Sequence, residues 1–198
     1  MNKIEDYRVF VGEVLNRYSP VSDTVLSLFM SICRVEEFKK GARLLDIGMI
    51  SRRKYILCSG TVVAYFINEE GDLYHKNIFL EGDFAGSTVS ALRQKASDFA
   101  LEAIEDAKLI GFDYEKYRQL IEEQPEMKAF YIAYLEKNWV LDKEQRELDI
   151  VLKDAEARYQ DFIATHLGIE QRIPLHYIAS HLGITPTQLS RIRKKLKK

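Results

Sequence analysis

Hydrophobic and polar positions follow two patterns along the chain, one with helical spacing and one with short apolar runs. Residues 4–34 carry apolar side chains at helical spacing, in two groups separated by Pro20 and by the helix-capping pair Ser22-Asp23. From Lys39 to Asp113 the apolar runs become short and rich in β-branched and aromatic residues. We therefore expect two helices followed by a region of strands.

Glycines punctuate the predicted strands. The runs over residues 44–45, 55–58, 62–67 and 76–80 alternate with glycines at positions 41, 48, 60, 71 and 82, and further strands are expected over 99–104 and 107–113. Residues 68–71, Asn-Glu-Glu-Gly, predict a hairpin turn whose glycine takes a positive φ. Short strands at regular intervals are typical of an antiparallel sandwich or roll.

A long helical pattern begins at Pro125. Its side chains recur in steps of four and three, the spacing of a two-stranded coiled coil, at Met127, Tyr131, Tyr134, Asn138, Leu141, Gln145 and Leu148. Phe130, Leu135 and Trp139 lie off this stripe and are expected to pack on the β-roll. The helix is apolar on more than one side, which favours a homodimer. The alternative is a single amphipathic helix buried in its own domain.

A shorter amphipathic helix is predicted over residues 154–167, and a hinge over 149–153 separates it from the long helix. Its apolar face comprises Ala155, Tyr159, Phe162, Ile163 and Leu167. The expected domains are residues 1–124 for the roll, 125–150 for the dimerisation helix and hinge, and 151–198 for a C-terminal domain.

The strongest motif lies in that last domain. Leu175, Ile178, Ala179 and Leu182 form one face of a short helix, and Gly183 follows where a helix-ending left-handed residue belongs. Thr185 is a good N-cap, Pro186 suits the first helical position, and Gln188 completes a capping box. A short helix, a glycine turn and a capped second helix predict a helix-turn-helix.

The second helix of this motif has an outer face suited to DNA. Its start is expected in the major groove, where Thr185, Thr187, Gln188, Ser190 and Arg191 are candidates to contact DNA; glutamine pairs well with adenine and arginine with guanine. Arg193, Lys194 and Lys195 are better placed for phosphates. The alternative is a helical hairpin with a solvated charged face.

Charge is unevenly distributed, although the formal net charge is only −1. No Asp or Glu follows Glu170, whereas basic residues continue to the end: Arg172, Arg191, Arg193, Lys194, Lys195, Lys197 and Lys198. A near-neutral chain with a basic end favours a polyanion partner. Charge alone fits a solvated basic tail equally well.

Composition excludes several other classes. No run of about 18 apolar residues occurs, as a membrane span requires, and residues 1–6 lack the layout of a secretory signal. Cys33 and Cys58 are too few for a disulfide framework or a Cys-rich metal cluster, so both are expected as buried, reduced thiols. His176 and His181 do not share a helix face, and no metal is expected. These features predict a cytoplasmic protein.

These residues resemble the Crp/Fnr family of bacterial regulators, nearly from end to end. The likeness is carried by Lys40-Gly41, Ser59-Gly60 and residues 81–86 (Glu-Gly-Asp-Phe-Ala-Gly) in the roll, and by the Leu-Gly-Ile-Thr-x-x-x-Leu-Ser-Arg-Ile-Arg pattern near the end. The resemblance implies an α+β fold with a cyclic-nucleotide-binding-like jelly roll, flanking helices, a dimerisation helix and a winged-helix-like helix-turn-helix. Its implied partners are double-stranded DNA, a second copy of the chain and RNA polymerase. Because the sequence stops at Lys198, we expect a truncated wing, which departs from the family pattern.

Three departures from the family pattern concern the effector. Members that bind cyclic AMP follow the cassette glycine with Glu and later present an Arg-Ser or Arg-Thr pair; here Ser87 follows Gly86, and Ser97-Asp98 stands at the pair. Oxygen sensors of the family need four cysteines for an iron–sulfur cluster. We therefore expect no cofactor and no tight cyclic AMP binding. The positions that would hold another small effector are Gly86, Ser87, Thr88, Arg93, Ser97 and Asp98.

Two other functions remain open at this point. A ligand-binding or interaction module with a vestigial helix-turn-helix would show no salt-dependent DNA affinity. A cupin-type oxygenase would also use a β-roll, but it needs several His and carboxylate ligands on the strands, and His75 is the only histidine there. We therefore expect a regulator and not an enzyme.

Overall fold

The computed structural model describes residues 3–196, which form two antiparallel sheets and ten α-helices within that range. The strands are β1 (Cys33–Phe38), β2 (Arg43–Leu45), β3 (Arg53–Ser59), β4 (Val62–Ile67), β5 (Leu73–Phe79), β6 (Phe84–Ala85), β7 (Ala100–Ala103) and β8 (Ala107–Asp113). The helices are α1 (Arg8–Asn16), α2 (Asp23–Ser31), α3 (Thr88–Arg93), α4 (Tyr114–Glu123), α5 (Pro125–Leu135), α6 (Asp142–Leu152), α7 (Ala155–Thr165), α8 (Ile169–Arg172), α9 (Leu175–His181) and α10 (Pro186–Leu196).

The eight strands make the predicted jelly roll. One sheet has the order β1-β8-β3-β6 and the other the order β2-β7-β4-β5. Between them Leu57, Val62, Leu101 and Leu109 are almost completely buried. Burying an aliphatic side chain of this size stabilises the fold by about 1.5–3 kcal/mol, so the inner layer holds the two sheets together.

Most local expectations for the roll are confirmed. β8 has the predicted bounds, and the turn between β4 and β5 forms a hairpin in which Gly71 has a φ of 88°. The helical assignment of residues 4–34 is wrong at its end, because Cys33–Phe38 is a strand that pairs along its whole length with β8. Burial raises the pKa of the free thiols of Cys33 and Cys58 to about 12, so both stay protonated at neutral pH.

A second core lies outside the roll, where helices α1, α2, α4 and α5 cover the β1-β8-β3-β6 sheet. Phe29, Phe112, Met127 and Phe130 are at most 1% exposed there, and Phe29 meets Phe112 edge to face at 5.2 Å. Such aromatic contacts add to the energy of burial. The helical layer is therefore firmly attached to the roll.

The long helix after Pro125 contains a π-helical segment. α5 passes into Glu136–Leu141, which winds with a wider turn, and continues as α6. Within it, the Asn138 side chain donates a hydrogen bond of 2.8 Å to the Tyr134 carbonyl of the same helix. A wider turn rotates all later residues about the helix axis. The side chains from Met127 to Leu148 that were expected on one stripe therefore lie on two different faces of the long helix.

The predicted dimer stripe is wrong in its first half. Met127 is fully buried and Tyr134 is 8% exposed, both in the core of their own chain, and half-buried Tyr131 packs against that core. Met127 and Tyr134 are therefore unavailable to a second chain. Leu141, Gln145 and Leu148, in the second half, are exposed. Phe130 and Leu135 pack against the roll side as expected, whereas Trp139 remains 41% exposed.

Helices α7 to α10 form a C-terminal unit that packs on the β2-β7-β4-β5 sheet. Tyr159, Phe162 and Ile178 share a hydrophobic core with Val63 and Tyr65 of β4. Leu167 was expected on the apolar face of α7, but it is 87% exposed because α7 ends at Thr165. None of the helices over residues 3–196 has the length and apolar character that crossing a bilayer requires.

Candidate nucleic-acid interface

The second helix of the motif begins with the expected capping box. The Thr185 hydroxyl accepts a hydrogen bond of 3.1 Å from the Gln188 backbone N–H, and the Gln188 side-chain oxygen accepts one of 3.0 Å from the Thr185 N–H. Gly183, with a φ of 68°, makes the turn from α9. The two reciprocal bonds satisfy backbone donors that a helix start leaves free. They fix the residue at which α10 begins.

The two faces of α10 differ as the spacing predicts. Leu189 is completely buried and half-buried Ile192 packs beside it, together with Ile178 and Ala179 of α9. Thr187, Ser190, Arg191 and Lys194 are exposed. The helix therefore presents hydroxyl and cationic groups outward from a fixed apolar seam, and Gln188 is exposed at its start although its side-chain oxygen is engaged in the cap.

The basic residues of α10 fall into two classes. Arg193 forms an ion pair of 2.7 Å with Glu170, which also accepts a hydrogen bond from the buried Tyr159 hydroxyl, and Lys195 pairs with Glu156 at 2.6 Å. Arg191 and Lys194 form no ion pair with a carboxylate of residues 3–196. Arg193 was expected to contact phosphate, but its charge joins α10 to α7 and α8. Lys197 lies outside the described residues, as does Lys198.

The C-terminal unit is docked on the roll through polar contacts as well as the shared core. The Ser180 hydroxyl of α9 accepts a hydrogen bond of 3.0 Å from the His75 N–H and donates one of 3.2 Å to the Leu73 carbonyl. Both groups belong to β5, an edge strand of its sheet. An unpaired strand edge needs partners, and the serine supplies them.

A guanidinium strengthens this docking at the other end of the interface. Arg172 binds both carboxylate oxygens of Glu81, at 2.8 and 3.0 Å, and reaches Glu105 at 3.1 Å and the Gly60 carbonyl at 2.9 Å. Paired hydrogen bonds of this kind are strong and directional. Gly60, Glu81 and Glu105 lie in three different loops between strands of the roll. Arg172 therefore holds these three loops together.

A cavity of about 760 Å³ separates the start of α10 from the roll. Thr185, Pro186 and Gln188 line one wall, and Tyr65 and Leu73 are among the residues of the other. The end of α10 that would enter a DNA groove therefore faces the β4–β5 hairpin in this conformation.

The chain is similar to known proteins both in sequence and in fold. Residues 35–124 match the model of the cyclic nucleotide-binding domain. The chain is 22% identical over 189 residues to the cAMP-activated global transcriptional regulator CRP of Pasteurella multocida, and the matched region covers 90% of each protein. It is 27% identical over 176 residues to the fumarate and nitrate reduction regulatory protein of Vibrio cholerae, covering 83% of this chain and 69% of the relative. FixK2 from Bradyrhizobium japonicum has the same fold, with a TM-score of 0.71 at 17% identity over 84% of this chain and 85% of its own.

The chain is similar to regulators of the Crp/Fnr family in sequence and in fold. The first of these relatives is a transcriptional regulator and the second is a regulatory protein. The fold described above combines a roll of the nucleotide-binding type, a long helix and a terminal helix-turn-helix.

The cassette that a Crp/Fnr member would use for a nucleotide is closely packed here. Ser87, Thr88 and Ser97 are buried, whereas Arg93 and Asp98 are exposed. The Ser97 hydroxyl donates a hydrogen bond of 2.8 Å to the Phe99 carbonyl. None of the expected effector residues lines the cavity described above.

Sequence reasoning missed several cations near the cassette. Lys54 is 3% exposed, its ammonium lies 5.2 Å from the Tyr134 ring, and a side chain at Gly86 would meet Lys54 Cγ at 3.1 Å. Burial lowers the pKa of Lys54 to about 8. Burial, and then Arg146, lowers the pKa of Lys76, whereas Asp98 raises it. A lysine next to or within the apolar run of a predicted strand was the signal that could have revealed Lys54 and Lys76. Their position near the cassette depends on the topology of the sheets.

Proposed function

We propose that this protein is a sequence-specific DNA-binding regulator of the Crp/Fnr type that acts as a cytoplasmic homodimer. The observation that carries this proposal is the start of α10, where the Thr185–Gln188 capping box and the Gly183 turn present an exposed polar and basic face. A helix held in this way has the form that helix-turn-helix proteins insert into the major groove.

Roles on α10 follow from exposure and pairing. Thr187, Gln188, Ser190 and Arg191 are assigned to base edges, and Arg191 is the residue most suited to guanine because its five donors form a rigid fork. Lys194 is assigned to phosphate. Thr185 supports both roles because its cap fixes the helix start, and Lys195 reaches phosphate only after leaving Glu156.

The exposed apolar residues of the long helix support the homodimer. Leu141 is 64%, Leu148 46%, Val151 81% and Leu152 75% exposed. A continuous apolar surface of this kind on a regulator favours burial against a second copy. Two copies joined along α6 would place two recognition helices for half-sites about 34 Å apart, which is one turn of DNA.

Binding of DNA is tested by fluorescence anisotropy on a random-sequence duplex pool. We expect affinity to fall steeply with salt, because phosphate neutralisation releases counterions. The double substitution of Arg191→Ala and Lys194→Ala should weaken binding at least tenfold. It should also reduce the salt slope by about one for each DNA phosphate that the variant no longer neutralises.

The matched control removes the same number of exposed charges far from α10, through Lys116→Ala and Lys128→Ala. This variant should bind like the parent chain. Equal losses of affinity in the two variants would show that general charge and not the α10 face is responsible, which would contradict the assignment.

A further inference from the structure

Three of the four histidines of the chain meet where the helix-turn-helix docks on the roll. His75 of β5 is 7% exposed, and its ring centroid lies 4.7 Å from that of Tyr177 on α9. His181, at the end of α9, lies 5.5 Å from the Phe162 ring of α7. His176 precedes Tyr177 on α9 and interacts electrostatically with His75. Docking therefore buries imidazoles contributed by both sides of the interface.

The buried rings are held in their neutral form. Nδ1 of His75 and Nδ1 of His181 are both buried without a hydrogen-bond partner among residues 3–196. A protonated imidazole has two N–H donors, and a buried charge without partners is costly. Burial, and then His176, lowers the pKa of His75 to about 4. Burial, and then Arg146, lowers the pKa of His181 to about 4, although hydrogen bonds with the backbone of His75 and Lys76 oppose this lowering.

Charged groups of both signs surround the two rings. The titratable or charged groups that face them or line the adjoining cavity are Arg43 of β2, Tyr65 of β4, Asp72 of the hairpin, Lys76 of β5, Glu102 of β7, Arg146 of α6, His166 of α7, and His176 and Tyr177 of α9. Glu102 is engaged by the Tyr65 hydroxyl at 3.2 Å. A positive charge on His181 is nevertheless opposed by Arg146, and one on His75 is opposed by His176.

We propose that these histidines form an acid-sensitive latch, in which protonation of His75 and His181 releases the helix-turn-helix from the roll. The start of α10, which faces the β4–β5 hairpin when docked, then becomes accessible to a DNA groove. This last consequence rests on the proposed function, whereas the release itself does not.

The direction of the pH dependence follows from the two states. The docked form keeps both pKa values near 4, whereas a released, solvated histidine has its ordinary value of about 6.5. The released form therefore binds more protons below that pH. Docking is at full strength above about pH 6.5, weakens as the pH falls, and is lost towards pH 4.

Small-angle X-ray scattering of the full chain at pH 7.5 and pH 5 tests the latch, with circular dichroism to verify that the helices and strands persist. We expect the ratio of released to docked chains to rise by about tenfold or more for each histidine, which increases the radius of gyration. The double substitution of His75→Phe and His181→Phe keeps ring packing but removes the protons. Its radius should stay at the docked value at both pH values.

Arg172→Gln serves as the comparison variant, because it breaks the guanidinium contacts and leaves the histidines in place. It should shift the chain towards release at both pH values while retaining the pH response. Histidine ¹³C NMR on the parent chain gives a second measurement, in which two of the four rings should titrate below the ordinary value of about 6.5 and together with the release.

Unchanged scattering between pH 7.5 and pH 5, or equal acid release in the double histidine variant, would overturn the proposal. Titration of all four histidines near pH 6.5 would do the same. Acid release without any DNA binding in either form would leave the latch standing and contradict the proposed function instead.

Discussion

Thr185 and Gln188 each bond to the other's backbone, and this pair of contacts determines where α10 begins. The residues were identifiable from their spacing because a capping box is a local motif, formed within four residues. The same holds for Gly183 and Gly71, whose positive φ values the turns require. Arg193 shows the limit of such reasoning, since its partner Glu170 lies on another helix.

Replacing Thr185 with alanine should destabilise the C-terminal unit by about 1 kcal/mol, the usual effect of losing an N-cap side chain. Chemical denaturation followed by circular dichroism measures the change. Thr187→Ala, just inside the same helix and exposed, should leave stability within about 0.5 kcal/mol of the parent. A similar destabilisation in both variants would contradict a special role of the Thr185 cap.

Arg191→Ala should impair DNA sequence preference, whereas Arg193→Ala should impair the stability of the fold. Arg191 is exposed, so its removal should relax sequence preference by about 1–3 kcal/mol at one base position and leave the unfolding midpoint unchanged. Removal of Arg193 leaves Glu170 without its ion pair, so the denaturation midpoint should fall. Competition binding with single-base operator variants and denaturation curves distinguish the two. Uniform weakening on every sequence in Arg191→Ala would make this residue a phosphate contact.

At the scale of elements, periodicity identified the helices and strands whose burial pattern is simple. β8 has the expected bounds, although four consecutive residues of it are buried, and α9 and α10 follow from their apolar faces. β1 was missed because Cys33–Phe38 follows α2 after one residue and carries three charges, and only its pairing with β8 fixes it as a strand. The π-helical turn at Glu136–Leu141 was also missed, since residue spacing assumes a constant helical turn.

Leu141→Asp should break the homodimer, because it places a charge in the exposed apolar surface of the long helix. Sedimentation velocity should then show a monomer, and affinity for an operator should fall at least a hundredfold. Lys143→Ala, whose side chain pairs with Glu147 along the same helix, should remain dimeric. A Leu141→Asp chain that is still a dimer would place the interface elsewhere.

At the scale of the whole molecule, the relation between the roll and the C-terminal unit could not be predicted from spacing. Ser180 meets β5 across about a hundred residues of sequence, and Arg172 meets Glu81 across a similar distance. Such contacts depend on the complete topology. The family's cassette was recognisable from its glycines, yet the burial of Ser97 and the packing of Lys54 beneath Gly86 emerge only in three dimensions.

Isothermal titration calorimetry with cyclic AMP should show no binding at micromolar concentrations. Ser87 lacks a carboxylate for the ribose, the Ser97 hydroxyl is bound to the Phe99 carbonyl, and Asp98 would repel the phosphate. A micromolar or tighter dissociation constant would contradict this account of the cassette and require Lys76 or Arg93 to take over the phosphate.

Selection of bound sequences from random duplex DNA, performed at two salt concentrations, tests the central claim most directly. A dimeric Crp/Fnr regulator should enrich an inverted repeat with half-site centres about ten base pairs apart, and the enrichment should persist at the higher salt. Weak recovery without any enriched sequence, abolished by salt, would contradict sequence-specific recognition by α10.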